Sequence, residues 1–296
     1  MTGAGDRDAA FEALRPRLVR VAYATLGSVS EAEDVVQEAW LRLQRTAPGE
    51  VRDLPAWLTT VVGRLALDTL GSARARRERY VGEWLPEPLV GTAPDPADRV
   101  TLDEEVSLAL LRVLEALSPA ERTAFVLHDV FGHSFEEVAE AVGRTPQATR
   151  QLASRARRHV EAGRPRFPAT RDEQARVVTA FAMAAGQGDL DALVAVLDPD
   201  VTMRSDGGGR VTAARYPLHG AHRVGRALVA MTRKNLRRGG GQAALLSVNG
   251  GPGLVLEVAG ERSVMAFTVD GGRITAIDIV RNPDKLTHVP HLEGPA

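Results

Sequence analysis

Apolar spacing changes once along this chain, near residue 172, from a helical period to a strand period, so no single repeated architecture accommodates it. Before the change, FEALRPRLVRVAYATLG sets Phe11, Leu14, Leu18, Val21 and Ala22 on one helical stripe. SVSEAEDVVQEAWLRLQRT predicts a second helix opened by a Ser30/Glu33 capping box. LPAWLTTVVGRLALDTL predicts a third, with Pro55 in the first turn, where proline is tolerated. Residues 71–102 are proline-rich and aperiodic, the mark of a linker, although EWLPEPLV within them is more apolar than a spacer needs. Helical spacing returns in LDEEVSLALLRVLEAL, SPAERTAFVLHDVFG and SFEEVAEAVGRTPQATRQLASRARRHV, and breaks at GRPRFPAT. Beyond residue 172, DEQARVVTAFAMAAGQG, DLDALVAVL and HRVGRALVAMTRKN read as helices. VTMRS, AALLSV, GLVLEVA, SVMAFTV and ITAIDIV read as short strands, most of them separated by Gly-rich turns. An α+β domain with antiparallel strands is expected there, and 296 residues suffice for two or three domains.

The formal net charge of −1 hides a block of basic residues. Residues 1–143 carry 15 Lys/Arg against 24 Asp/Glu, residues 144–171 carry 8 against 1, and residues 172–296 carry 14 against 13. Such a block marks a nucleic-acid surface or a solvated tail, and pattern decides between them. Phe135, Val138, Ala139 and Val142 form the apolar stripe of a first helix; Gly143 supplies a tight turn, Thr145 an N-cap and Pro146 the first position of a second helix. On that second helix Thr149, Leu152, Ala153, Ala156 and Val160 share one face. Gln147, Gln151, Ser154 and Arg158 occupy the other, flanked by Arg150, Arg155 and Arg157. Amides, a hydroxyl and guanidinium groups are what hydrogen-bond base edges and phosphates in a major groove. A merely solvated helix would intersperse acids, and Arg144–Val160 contains none. A DNA-binding helix-turn-helix is the reading.

AEDVVQEAWLRLQR also splits, with Val36, Ala39, Trp40 and Leu43 on one side and Asp34, Gln37, Glu38 and Leu41 on the other. A leucine on an acidic and amide face is either part of a protein-docking surface or one of the single exposed leucines common on any protein. The chain has no cysteine, which excludes disulfides and thiolate zinc sites, and neither HDV nor HVPHLE has metal-site spacing; no metal or cofactor is expected. MTGAGDRDAAFEALRP lacks a signal pattern, and no apolar run approaches the ~20 residues of a membrane span, so a cytoplasmic protein without a membrane partner is expected.

FEALRPRLVRVAY, AEDVVQEAWLRL, PAWLTTVVGRLALD and LSPAERTAFVLHDVFGHSFEEVAEAVGRTPQATRQLASRARR together resemble, in order and spacing, an extracytoplasmic-function (group IV) sigma factor of bacterial RNA polymerase. The resemblance implies two all-α domains: region 2 over residues 1–72 and region 4 over 103–165, joined by a linker over 73–102. It implies a non-enzymatic subunit with no catalytic residue, whose partners are core RNA polymerase and promoter DNA. Asp34, Gln37, Glu38, Leu41 and Arg42 then dock on the clamp helices of the largest polymerase subunit. The loop Ala47–Leu54 with Trp57, Thr60 and Arg64 corresponds to the element that melts and reads the −10 strand, by stacking and arginine contacts. Trp57 suits a packing anchor equally well, and Asp68 suits orienting a neighbouring arginine, since phosphates repel it. Family members often carry Asn where Gly63 or Arg64 sits, a departure here. The basic helix corresponds to the −35 reader, through Gln147, Arg150, Gln151, Ser154, Arg155 and Arg158.

Residues 172–296 resemble the SnoaL-like cone fold by element order. WLPEP (84–88), DGGGR (206–210) and NPDKL (282–286) resemble a sigma subgroup whose fused SnoaL-like domain regulates the sigma regions, with Arg210 standing where that subgroup usually has Lys. The resemblance implies regulatory roles for Trp84, Leu85, Pro86, Asp206, Asn282, Pro283, Asp284, Lys285 and Leu286. On this reading Trp84 packs in an apolar groove, the end segment touches the linker, and Lys285 pairs with an acid on the linker or on region 2. Cone folds enclose a pocket, which admits a small-molecule ligand as a further partner, and in some relatives an Asp or His there acts as general acid/base. Asp206, Tyr216, His219, His222 and Asp278 are the candidates, and no two have a spacing that demands catalysis. Two other classes stay open: a one-component regulator sensing a small molecule, against which residues 30–70 weigh, and a cyclase or isomerase fused to a DNA-binding module.

Overall fold

The computed structural model describes residues 4–47, 49–77, 80–91, 106–163 and 169–292, without the side chains of 4–6 and 73–77. Pro48 of the 47–54 loop, residues 78–79 and 92–102 of the linker, residues 103–105 and 164–165 of the region 4 range, and the two chain ends lie outside the described residues. The chain divides into two compact units: Met1–Glu78 with Leu111–Gly163, and Arg79–Leu110 with Arg164–Ala296.

The first unit is all-helical. Helix α1 (Ala4–Leu26) packs on both α2 (Val29–Arg45) and α3 (Leu54–Arg77). Phe11, Leu18, Val21 and Ala22 of the expected stripe are buried, as are Val36, Ala39 and Leu43 of α2. The cap of α2 is not the predicted Ser30/Glu33 box. Gly27, at φ 71°, ends α1 and leaves Ser28 extended, so the Ser28 hydroxyl accepts the Glu31 N–H at 3.2 Å and Ser30 falls inside the helix. Asp53 caps α3 by accepting the Ala56 N–H at 3.1 Å, with Pro55 in the first turn as expected. After the linker come α4 (Leu108–Leu114), α5 (Pro119–Phe125) continued by a π-turn over Val126–Val130, α6 (Phe135–Val142) and α7 (Pro146–Gly163). The helix expected from residue 102 is therefore shorter: Val106 and Ser107 are not helical, and the Ser107 hydroxyl accepts the Leu110 N–H.

The second unit sets α8 (Arg171–Gln187), α9 (Leu190–Val196) and α10 (Ala221–Arg237) against one face of a seven-stranded sheet. The strands are β1 (Val90–Gly91), β2 (Leu197–Asp206), β3 (Leu218–His219), β4 (Gln242–Val248), β5 (Gly251–Val258), β6 (Glu261–Asp270) and β7 (Arg273–Val280), in the order β1-β4-β5-β6-β7-β2-β3. Three hairpins close through two-residue turns, Asn249–Gly250, Ala259–Gly260 and Gly271–Gly272, whose central residues all have positive φ. The sheet is mixed rather than wholly antiparallel, because β2 runs parallel to β7. Alternation of side chains divides the core in two. Leu254, Met265 and Ile279 face the helices with Phe181, Leu193, Val224 and Leu228, while Val255, Val264 and Val280 face the other way.

That second face explains the apolar linker. Leu85, at 1% exposure, packs with Val248, Val255, Val264, Val280, Leu286 and Val289. Tyr80–Gly91 is thus not a spacer but part of the second unit: β1 pairs with the end of β4, and the linker helps cover a sheet face that would otherwise be wet.

Candidate functional site

In α2, Asp34, Gln37 and Leu41 are exposed, Leu41 at 40%, while Trp40 turns inward and packs with its ring centre 4.6 Å from that of Phe11, the planes tilted by 41°. Glu38 and Arg42 pair with each other at 3.0 Å, one turn apart. The outward face therefore offers a leucine flanked by an amide, an internally neutralised pair and a carboxylate with no ion pair among the described residues.

In α3, Trp57 and Thr60 are half-buried and Arg64 is exposed. The Arg64 guanidinium donates to the Glu140 carbonyl of α6 at 2.9 Å. Beside it Gly63 is buried, and a Cβ there would lie 2.9 Å from Leu127 Cδ1 and 3.2 Å from the Ala141 methyl. The missing side chain is what lets α3 approach α6 this closely. Gly63→Leu is expected to destabilise the first unit by about 1–3 kcal/mol through overpacking, read as a lower urea midpoint; an unchanged midpoint would show that the contact gives way freely. Asp68 is exposed and pairs with no arginine among the described residues, where the sequence led one to expect an orienting contact.

The helix-turn-helix follows its local signals. Gly143 sits at φ 66° and ends α6, the Thr145 hydroxyl accepts the Ala148 N–H at 3.2 Å, and Pro146 opens α7. A Ser134/Glu137 capping box fixes the start of α6. Thr149, Ala153, Ala156 and Val160 are buried, whereas Gln147, Gln151, Ser154 and Arg158 are exposed with no side-chain partner among the described residues. The flanking arginines are held instead: Arg150 by Glu136 at 3.3 Å, Arg155 by Glu121 at 2.8 Å and Arg157 by Asp129. Phe135 is only half-buried, stacked on His128 with Arg150 over its ring at 5.2 Å.

The three short motifs of the second unit meet at one carboxylate. Asp206 is fully buried and accepts from the Tyr80 hydroxyl at 2.7 Å, the Leu85 N–H at 2.9 Å, the Gly208 N–H at 3.0 Å and the Lys285 ammonium at 2.7 Å. Lys285, 6% exposed, also donates to the Leu85 carbonyl and lies 4.1 Å from the centre of the Trp84 ring. Asn282 caps the Pro283–Lys285 turn by accepting the Asp284 N–H and donates to the Tyr80 oxygen at 2.8 Å. Burial, reinforced by the bond to Asp206, pushes the Tyr80 hydroxyl well above the ordinary phenol range, so it stays protonated as a donor. Outside this knot, Arg210 pairs with Asp284 at 3.2 Å on the surface. Two expectations change here. Lys285 finds its acid at Asp206, not on the linker or region 2, and the buried anchor is Leu85, with Trp84 only half-buried over the ammonium.

Tyr80 and Asn249 escaped the sequence reading. Asn249 is buried at φ 47° in the β4–β5 turn; it holds Leu89 through two hydrogen bonds, its N–H donating to the Leu89 carbonyl at 2.8 Å and its Oδ1 accepting the Leu89 N–H at 3.0 Å, and it donates to the Val106 carbonyl at 3.2 Å. The Asn-Gly pair signals the turn, but nothing local signals the grip. The acid/base candidates do not converge: Tyr216 is 79% exposed, His219 meets Thr202 at the sheet edge, His222 is exposed, and Asp278 is buried with Arg204 at 3.7 Å. Among the described residues no cluster of His, Asp and Glu could hold a metal ion, and no helix is long and apolar enough to cross a membrane.

Residues 10–77 match Sigma-70 region 2 and residues 107–160 match Sigma-70 region 4. The ECF RNA polymerase sigma factor SigJ of Mycobacterium tuberculosis is 43% identical over 291 residues, covering 95% of this chain and 93% of SigJ. The chain belongs to the extracytoplasmic-function sigma factors. A probable ECF RNA polymerase sigma factor of the same organism, SigI, is 40% identical over 285 residues, with 94% of each chain covered. The crystal structure of M. tuberculosis SigJ superposes on 95% of this sigma factor and 99% of the SigJ chain, with a TM-score of 0.77. The likeness spans the second unit as well, so the sigma regions and the SnoaL-like domain form one conserved plan, that of a transcription initiation factor rather than an enzyme.

Proposed function

We propose that this sigma factor directs promoter-specific initiation in the cytoplasm, docking on the clamp helices of core RNA polymerase through the outer face of α2. In this reading α3 opens and reads the −10 element and α7 lies in the major groove of the −35 element. The observation that carries it is the row Gln147, Gln151, Ser154 and Arg158, exposed and without a side-chain partner among the described residues, over a buried small-residue seam. Arg158→Ala weakens binding to a −35 duplex by about 1–3 kcal/mol if the guanidinium meets a guanine. Arg155→Ala loses less, because Glu121 competes for that side chain. Fluorescence anisotropy measures both; equal binding by Arg158→Ala and the parent chain would remove α7 as the reader. Arg64 serves a −10 strand only after α6 releases it, since the Glu140 carbonyl occupies its guanidinium.

The Asp206 knot supports regulation in cis by the SnoaL-like domain, exerted on the linker that it grips. An apolar cleft of about 200 Å³ between α8, α10 and β4–β6, lined by Phe181, Leu228, Met231, Leu254 and Met265 with Thr232 and Asn235 at its polar side, suits a small uncharged ligand as the signal.

A further inference from the structure

Helix α10 carries a charge pattern that the sigma reading leaves unused. Its inner residues Ala221, Val224, Gly225, Leu228 and Val229 are buried. Outside, Arg223, Arg226, Arg233, Lys234 and Arg237 are all exposed, and Ala221–Arg237 contains no acid. At 100° per residue the five cations fall within an arc of about 100°, with Ala230 in the middle of the stripe. From Arg223 to Arg237 the stripe runs about 21 Å, the axial length of roughly six phosphates on one DNA strand.

What marks this stripe is that five cations share one helix face with no ion-pair or hydrogen-bond partner among the described residues. Several surface arginines elsewhere find acids, Arg42 with Glu38, Arg150 with Glu136, Arg155 with Glu121 and Arg210 with Asp284, while Arg158, exposed and unpaired among the described residues, lies on the row proposed to meet DNA. The residue directly after α10, Arg238, is held at 2.8 and 3.1 Å by both oxygens of Glu261. None of the five stripe cations makes an ion pair or hydrogen bond among the described residues, and Lys234 lies within electrostatic reach of one acid, Glu261. They form a linear field of one sign, backed by a rigid helix with a small residue at its centre, which allows close approach of a flat polyanion.

We propose that α10 of the SnoaL-like domain is a second DNA-binding surface, which holds the phosphate backbone of duplex DNA without reading its sequence. Five long side chains on one face, with no amide row or aromatic among them, meet phosphates and not base edges. A site of this kind adds affinity for DNA already recruited by the first unit, because the second contact is intramolecular. It does not rest on the sigma reading, since its readout is DNA affinity and not initiation.

The test uses the full chain and a short labelled DNA duplex that lacks any promoter, with affinity measured by anisotropy over a range of salt concentrations. Each phosphate contact contributes about 0.9 to the slope of log K against log salt. The triple variant Arg226→Gln/Arg233→Gln/Arg237→Gln is expected to flatten that slope by about two to three, to do so equally in an Arg158→Ala background, and to keep the parent's thermal midpoint. A triple variant with the parent's slope and affinity overturns the proposal. So does one that binds naked DNA normally but core RNA polymerase less well, since the stripe would then face an acidic protein surface.

Discussion

Asp206→Ala is expected to cost the second unit about 3–5 kcal/mol, the range for removing one partner of a buried, hydrogen-bonded charge pair. The substitution strands the Lys285 ammonium, the Leu85 N–H and the Tyr80 hydroxyl together, each of which the carboxylate now satisfies. Lys285→Met should cost less, because Asp206 keeps the Tyr80, Leu85 and Gly208 donors. Urea unfolding gives the magnitudes, and hydrogen exchange at Leu85 locates the effect on the linker. A loss within about 0.5 kcal/mol, as for an ordinary surface substitution, would show that the knot holds nothing.

Leu41→Glu should leave the fold intact, since the side chain is already 40% exposed, and weaken binding to core RNA polymerase by on the order of 2 kcal/mol. The physical reason is the same exposure. An apolar side chain that the fold leaves wet gains its burial only on a partner, and a carboxylate in its place carries desolvation cost into that interface. Asp34→Ala, at the rim of the face, should act mainly on the association rate and its salt dependence. Binding of Leu41→Glu to immobilised core polymerase at the parent's affinity would free α2 from the docking role.

How far the sequence carried the account differs between the units, for a physical reason. The helix-turn-helix is written locally: Gly143, Thr145 and Pro146 are consecutive or nearly so, and the inner and outer faces of α7 follow from a single period. Elsewhere in the first unit, Ser28 displaced Ser30 as the α2 cap, because Gly27 decides where α1 ends. In the second unit the decisive contacts join residues more than a hundred positions apart. Leu85 is buried by Val255 and Val280, Tyr80 is hydrogen-bonded to Asp206 and Asn282, and two residues of β1 are too few to show a strand period. WLPEP, DGGGR and NPDKL are segments that the fold brings together. They did not reveal that one carboxylate joins them, nor that Lys285 turns to Asp206 while Trp84 covers its ammonium. The parallel pairing of β2 with β7 is likewise set by the crossover through α10 and the hairpins, not by either strand alone.

The most direct test of a promoter-selecting role supplies purified full chain, or a chain ending at Val280, to core RNA polymerase lacking sigma, together with a genome-wide pool of promoter fragments. Ending at Val280 keeps β7 but removes Lys285, Leu286 and Val289, and so releases the linker from the Asp206 knot. Transcripts from a discrete set of promoters sharing −35 and −10 elements, lost on Arg158→Ala, are the predicted result. Absence of initiation from every promoter, with both chains shown to bind core polymerase, would contradict it.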